Sequence, residues 1–79
     1  MTTLVSAVTT EFTPAVGIFN VQVASGGDAC LERKQTSGAG WAAVGNIRAG
    51  QGFVVDNPVG GAVYRFTTLS GTPVVQADQ

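Results

Sequence analysis

Apolar side chains recur along this chain at every second position, and no stretch carries them at the i, i+3, i+4, i+7 spacing of a capped helix. The clearest strand pattern covers residues 16–24: Phe19, Val21 and Val23 fall on one face, Asn20 and Gln22 on the other. The 25–28 stretch, Ser-Gly-Gly-Asp, reads as a turn, because glycine tolerates positive φ. A second strand follows over 29–36, with Ala29, Leu31 and Arg33 on one face and Cys30, Glu32 and Lys34 on the other. After the Ser-Gly-Ala-Gly turn at 37–40 comes a short strand over 41–47 with Trp41 at its entrance. Gly50 and Gly52 bracket a further turn, and residues 53–56 form a brief apolar strand ending at Asn57-Pro58. Over 62–69, Val63, Arg65, Thr67 and Leu69 face one way and Tyr64, Phe66 and Thr68 the other. Ser70-Gly71 turns the chain into a last strand over 73–77. The stretches LERKQTSGAGW and YRFTTLSGTPVVQ both read as hairpins.

This rhythm predicts an all-β chain: one small antiparallel β-sandwich or barrel of six to seven strands. Phe19, Val21, Leu31, Trp41, Tyr64 and Phe66 are its expected core anchors. Residues 17–79 make up the sandwich domain. Residues 1–16 are β-prone but less regular, and Pro14 interrupts pairing. They form a strand or an extended arm, with Leu4, Val5 and Phe12 expected to pack on a neighbouring molecule.

Composition sharpens that picture. A core built from 79 residues supplies only ~3–5 kcal/mol, so natural domains of this size add disulfides, a metal or partner chains. Cys30 is the only cysteine and there is no histidine, which removes an intrachain disulfide and a zinc site from the expectations. Charged residues make up 11% of the chain, against ~25% in an average soluble domain. Low charge with 44% apolar residues suits a surface that is largely covered in an assembly. The net charge of −1, with only Arg33 and Lys34 adjacent among the basic residues, argues against nucleic acid as a partner. No run approaches the ~20 apolar residues of a membrane-spanning helix, and MTTLVSAVTT lacks the positive n-region of a signal peptide. The expectation is a protein made in a cytoplasm, with no membrane partner.

Catalytic chemistry finds little support. Without histidine a Ser-His-Asp or Cys-His arrangement cannot form, and the carboxylates Glu11, Asp28, Glu32, Asp56 and Asp78 are not paired by spacing. No Gly-Lys-Ser/Thr loop is present, so no nucleotide cofactor is expected. The expectation is no enzyme, no catalytic or metal residues and no cofactor. Cys30 reads as a small buried hydrophobe. Trp41 and Tyr64, if exposed together, would make a stacking platform for a carbohydrate; otherwise they are packing residues.

The order of these pieces carries a resemblance. Phe19 and Val21, then Leu31-Glu32-Arg33, Gly40-Trp41, Tyr64-Arg65-Phe66, Ser70-Gly71-Thr72 and Val74-Val75-Gln76 follow one another over residues 17–79. In this the chain resembles small β-rich virion structural proteins of tailed bacteriophages. Many of those carry an Asp-Gly-Gly-x-Thr-Trp turn, whereas here residues 36–41 read Thr-Ser-Gly-Ala-Gly-Trp, without the acid. The resemblance implies a capsid decoration, or cement, protein that binds the outer shell as a homo-oligomer, a trimer first. The implied partners are the major capsid protein or other virion proteins. The implied location is the virion, on the capsid surface, with the host cytoplasm during assembly. A neck, tail or fibre-associated module, or a small carbohydrate-binding β module, is the alternative.

Overall fold

A computed structural model describes residues 2–34 and 40–79. Seven strands form: β1 Thr3–Val5, β2 Gly17–Ser25, β3 Ala29–Lys34, β4 Ala42–Ile47, β5 Gln51–Asn57, β6 Val63–Thr68 and β7 Val74–Asp78. They assemble into two antiparallel sheets, one in the order β1-β7-β2-β5 and the other β4-β3-β6. The fold is therefore the small all-β sandwich that the alternating pattern predicts. Residues 35–39, where the Ser-Gly-Ala-Gly turn is expected and on which the comparison with the Asp-containing turn rests, lie outside the described residues.

The alternation sorts each strand into an inner and an outer row. Phe19, Val21 and Val23 of β2, Val55 of β5 and Val75 and Ala77 of β7 point from the first sheet into the core. Ala29 and Leu31 of β3, Ile47 of β4 and Tyr64 and Phe66 of β6 meet them from the second. Five of the expected anchors, Phe19, Val21, Leu31, Tyr64 and Phe66, are buried at the centre. Phe19 meets Tyr64 edge-on at 4.9 Å between ring centroids, an arrangement favoured by the quadrupoles of the two rings.

Of the two forms expected for the N-terminal segment, a strand or an extended arm, the strand forms at Thr3–Val5 and its apolar residues do not reach outward. Val5 and Phe12 belong to the chain's own core, and Leu4 packs against it. Phe12 lies about 6 Å from each of Phe19, Tyr64 and Phe66, completing a four-ring cluster. The physical reason is the need of two sheet edges for partners. β1 pairs with β7, and Thr2 and Gln79 exchange backbone hydrogen bonds at 2.9 and 3.0 Å. The chain then turns at Thr9, whose φ is 64°, and crosses to the second sheet. There Thr9 N–H donates to Phe66 C=O, and Phe12 and Tyr64 exchange bonds at 2.9 and 2.8 Å. One segment thus closes the edges of both sheets.

Two further expectations change. Among the described strands only β3 and β4 are neighbours both in sequence and within a sheet, so the two arms of LERKQTSGAGW pair antiparallel as expected of a hairpin. YRFTTLSGTPVVQ is not a hairpin: its Ser-Gly turn carries the chain from β6 in one sheet to β7 in the other. That crossover packs directly on the β2–β3 crossover. A Cβ on Gly27 would lie 2.0 Å from Ser70 O, and all three glycines of this contact, Gly26, Gly27 and Gly71, have positive φ. Asp28 ties the two together, since its carbonyl accepts from Leu69 and Ser70 N–H. Gly52 is the second change. It lies inside β5 opposite Gln22 rather than in a turn, because a Cβ there would approach Val21 O to 2.7 Å.

Asn57 is the one buried polar side chain among the described residues. Its Nδ2 donates to the carbonyls of Pro14 and Ala15, both at 3.2 Å, and its Oδ1 accepts from Tyr64 Oη at 3.1 Å. Burial of the amide is offset because donor and acceptor sides are both satisfied.

Candidate functional surface

Among the described residues no cleft or cavity opens, and no three metal-ligating side chains gather. The candidate site is therefore a surface. Three parts of it matter: the outer face of the β4-β3-β6 sheet, the outer face of the β1-β7-β2-β5 sheet, and the side of the sandwich where β4 and β5 form the edges.

The outer face of β4-β3-β6 carries Trp41, and here the core expectation is corrected. Trp41 is half-buried and stands outside the core cluster. It enters at the start of β4, one residue before Ala42, which pairs with Arg33 of β3. Alternation therefore turns its ring outward with Lys34, away from Tyr64. The Arg65 guanidinium stacks 4.0 Å from the ring centroid and the Lys34 ammonium lies 5.0 Å from it. Arg65 Nε donates to Glu32 Oε1 at 2.9 Å, from the strand directly opposite. At half-exposed positions a cation–π contact contributes roughly 0.5–1 kcal/mol and an ion pair about 0–1. The two cations over the indole leave it no free ring face of the kind a stacking platform needs. Tyr64 is fully buried, so the two-ring carbohydrate platform of Trp41 and Tyr64 does not form.

Cys30 lies on the same outward row as Glu32, yet it is buried. Burial pushes its thiol above the ordinary range, the Glu32 carboxylate adds to this, and a hydrogen bond from Thr67 opposes it. The thiol is held neutral at pH 7, as its reading as a small hydrophobe requires.

The opposite face is apolar in a different way. Ile18 of β2 and Val54 of β5 are 64% and 60% exposed; Val16, just before β2, is also exposed, as is Val74 of β7, opposite Ser25 at the far end of β2. Ile18 lies opposite Asp56 and Val54 opposite Asn20, so the two apolar side chains are diagonal neighbours. Asp56 and Asp78 are the charged residues of this sheet's strands, and both are acidic. Sequence reasoning placed Val54 in a strand but gave it no role. The missing signal is which strands become edges, which local patterning does not encode.

On the β4/β5 side, β4 (AAVGNI) has no charged residue and β5 (QGFVVDN) has one, Asp56. Phe53 of β5 plugs the gap between the sheets there: its ring lies 3.3 Å from where a Cβ on Gly45 would stand, and it is only half-buried.

No protein-family model, curated protein or solved structure matches this chain.

Proposed function

We propose that this protein is a non-enzymatic structural component of a phage virion, a capsid decoration or cement protein that binds the outer shell as a small homo-oligomer. The observation that supports this most is the surface. Large apolar side chains stand on the outer face of the β1-β7-β2-β5 sheet, next to a sandwich side whose two edge strands carry a single charge. A monomer gains nothing from such a surface, whereas a component buried in an assembly does. The ordered residues from Phe19 to Gln76 support the same reading by their resemblance to virion proteins.

The mechanism is mass action. A protein that binds the assembled shell and not its separated subunits shifts the equilibrium toward the shell. Repetition over symmetric sites turns a modest free energy per contact into a large one per particle. Such work needs no reactive group; it needs a rigid fold and an outward apolar face.

The test is immunogold labelling of particles of the virus that encodes this sequence, viewed in negative stain. Label over the head surface is expected. Label confined to neck, tail or fibre would replace the decoration role with the alternative structural one. Unlabelled particles would remove the virion reading altogether.

A further inference from the structure

The four sheet edges of this sandwich are not alike. β1 has three residues and an irregular register against β7. The β6 edge is occupied by residues 9–12. β4 is interrupted by a bulge at Val44, where Leu31 pairs with Gly45 and Glu32 with Ala43. Short length, cover and bulges are the devices by which sheet edges avoid pairing with other chains. β5 has none of them. It pairs with β2 through seven consecutive residues without a break, and it contains no lysine, arginine or proline. Among the described strands β2 is its sole partner. Alternate N–H and C=O groups along its other side therefore face outward as a regular template.

We propose that β5 is the seam of a two-fold homodimer, in which it pairs antiparallel with β5 of a second copy to make one continuous eight-stranded sheet. The strand's own sequence argues for a second copy as the occupant. With the two-fold axis at Val54, all seven residues Gln51–Asn57 find opposites. Val54 meets the partner's Val54 on the outer face, where opposed Cβ atoms stand ~4.5–5.5 Å apart. On the inner face Phe53 meets the partner's Val55. The existing registers then extend the core across the seam as Phe19–Val55–Phe53–Val21, with the last two from the partner subunit. This gives the half-buried Phe53 a second wall.

Charge selects the same register. Asp56 falls opposite the partner's Gly52, where no side chain competes for space. The two Asp56 carboxylates are then four residues apart along the strands, roughly 13 Å, which exceeds the screening length of ~8 Å at physiological salt. Moving the axis to Val55 would bring them to within about 7 Å and set Pro58, which has no N–H, against Gly52. Moving it to Phe53 would run Asn57 against Ala49, outside the strand. Only the Val54 axis uses the whole strand and keeps like charges apart.

This inference stands on the edges alone and goes beyond the virion reading; it makes a pair, not the trimer implied by resemblance, the elementary unit. The test is light scattering on the full chain, beside Val54→Lys, which places two ammonium groups face to face at the axis. The wild-type chain is expected at the mass of two copies. Val54→Lys, with an unchanged circular dichroism spectrum, is expected to dissociate at least about tenfold more readily. As a second readout, Val54→Cys should be joined into dimers by a short bismaleimide, while Val74→Cys on the same face should not. A wild-type mass of one or of three copies overturns the seam, as does a dimer that Val54→Lys leaves intact or that Val54→Cys does not cross-link. If particles are labelled but the free chain is monomeric, the seam falls and the virion role stands. If dimers form but no particle is labelled, the reverse holds.

Discussion

The two long sides of this sandwich are finished in opposite ways. On one side, residues 2–12 run along β7 and then along β6, fill both edges with backbone hydrogen bonds and drive Val5 and Phe12 into the core. On the other, β4 and β5 meet through a short turn, both edges stay open, and half-buried Phe53 packs across the gap beside Gly45. The closed side spends its apolar residues on the stability of the monomer. The open side leaves them half-covered. In so small a domain, where a few kcal/mol separate folded from unfolded chain, the division places stability on one side and leaves the other free for the pairing proposed above.

The sharpest way to break this comparison is to truncate one ring on each side. Phe12→Ala removes a buried ring from a four-ring cluster and should cost about 3–5 kcal/mol, enough to unfold much of the population. Phe53→Ala, at a half-buried ring, should cost the monomer only about 1–2 kcal/mol. Urea denaturation of both variants measures the difference; equal losses would show that the two sides share the stability. The next effect is smaller and local to the closed side. Tyr64→Phe leaves Asn57 Oδ1 buried without its donor, which should lower stability by about 1–3 kcal/mol with no loss of packing. A variant as stable as the wild type would mean that this hydrogen bond adds nothing net. Smallest, and of opposite sign, is Thr9→Gly. A β-branched residue at φ 64° is strained, and glycine relieves that strain at some entropic cost, for a gain of about 1 kcal/mol or less. A lowered melting temperature would show that Thr9 fits its turn without strain.

The residues explain what could be read from the sequence and what could not. The inner rows of β2, β3 and β6 were legible because alternation is a local property, and Phe19, Val21, Leu31, Tyr64 and Phe66 follow it. Phe12 was misplaced because it lies in no regular strand; its burial depends on a bridge to Tyr64, far along the chain. Ser70-Gly71 is a turn, as its residues indicate, but it joins two sheets instead of two strands of one. Turn residues show that the chain reverses and not which sheet it enters. Gly52 carried the chemistry of a turn, yet its bare α-carbon serves close approach to Val21. The size of Trp41 suggests the core, whereas its position in the alternation turns it onto Arg65. The candidate surface was the least legible part, because edge strands are defined by what does not pair with them.

The strand order has a consequence for how this protein comes into being. β7, made after the other six strands, takes a place between β1, which is made first, and β2. Until Val74–Asp78 emerges from the ribosome, β1 has no partner, and Thr2 cannot find Gln79. The growing chain can close its β3–β4 hairpin early, but the sandwich must wait for the last residues of β7. The first sheet is therefore completed only once Val74–Asp78 has been made, and removing those residues would part β1 from β2.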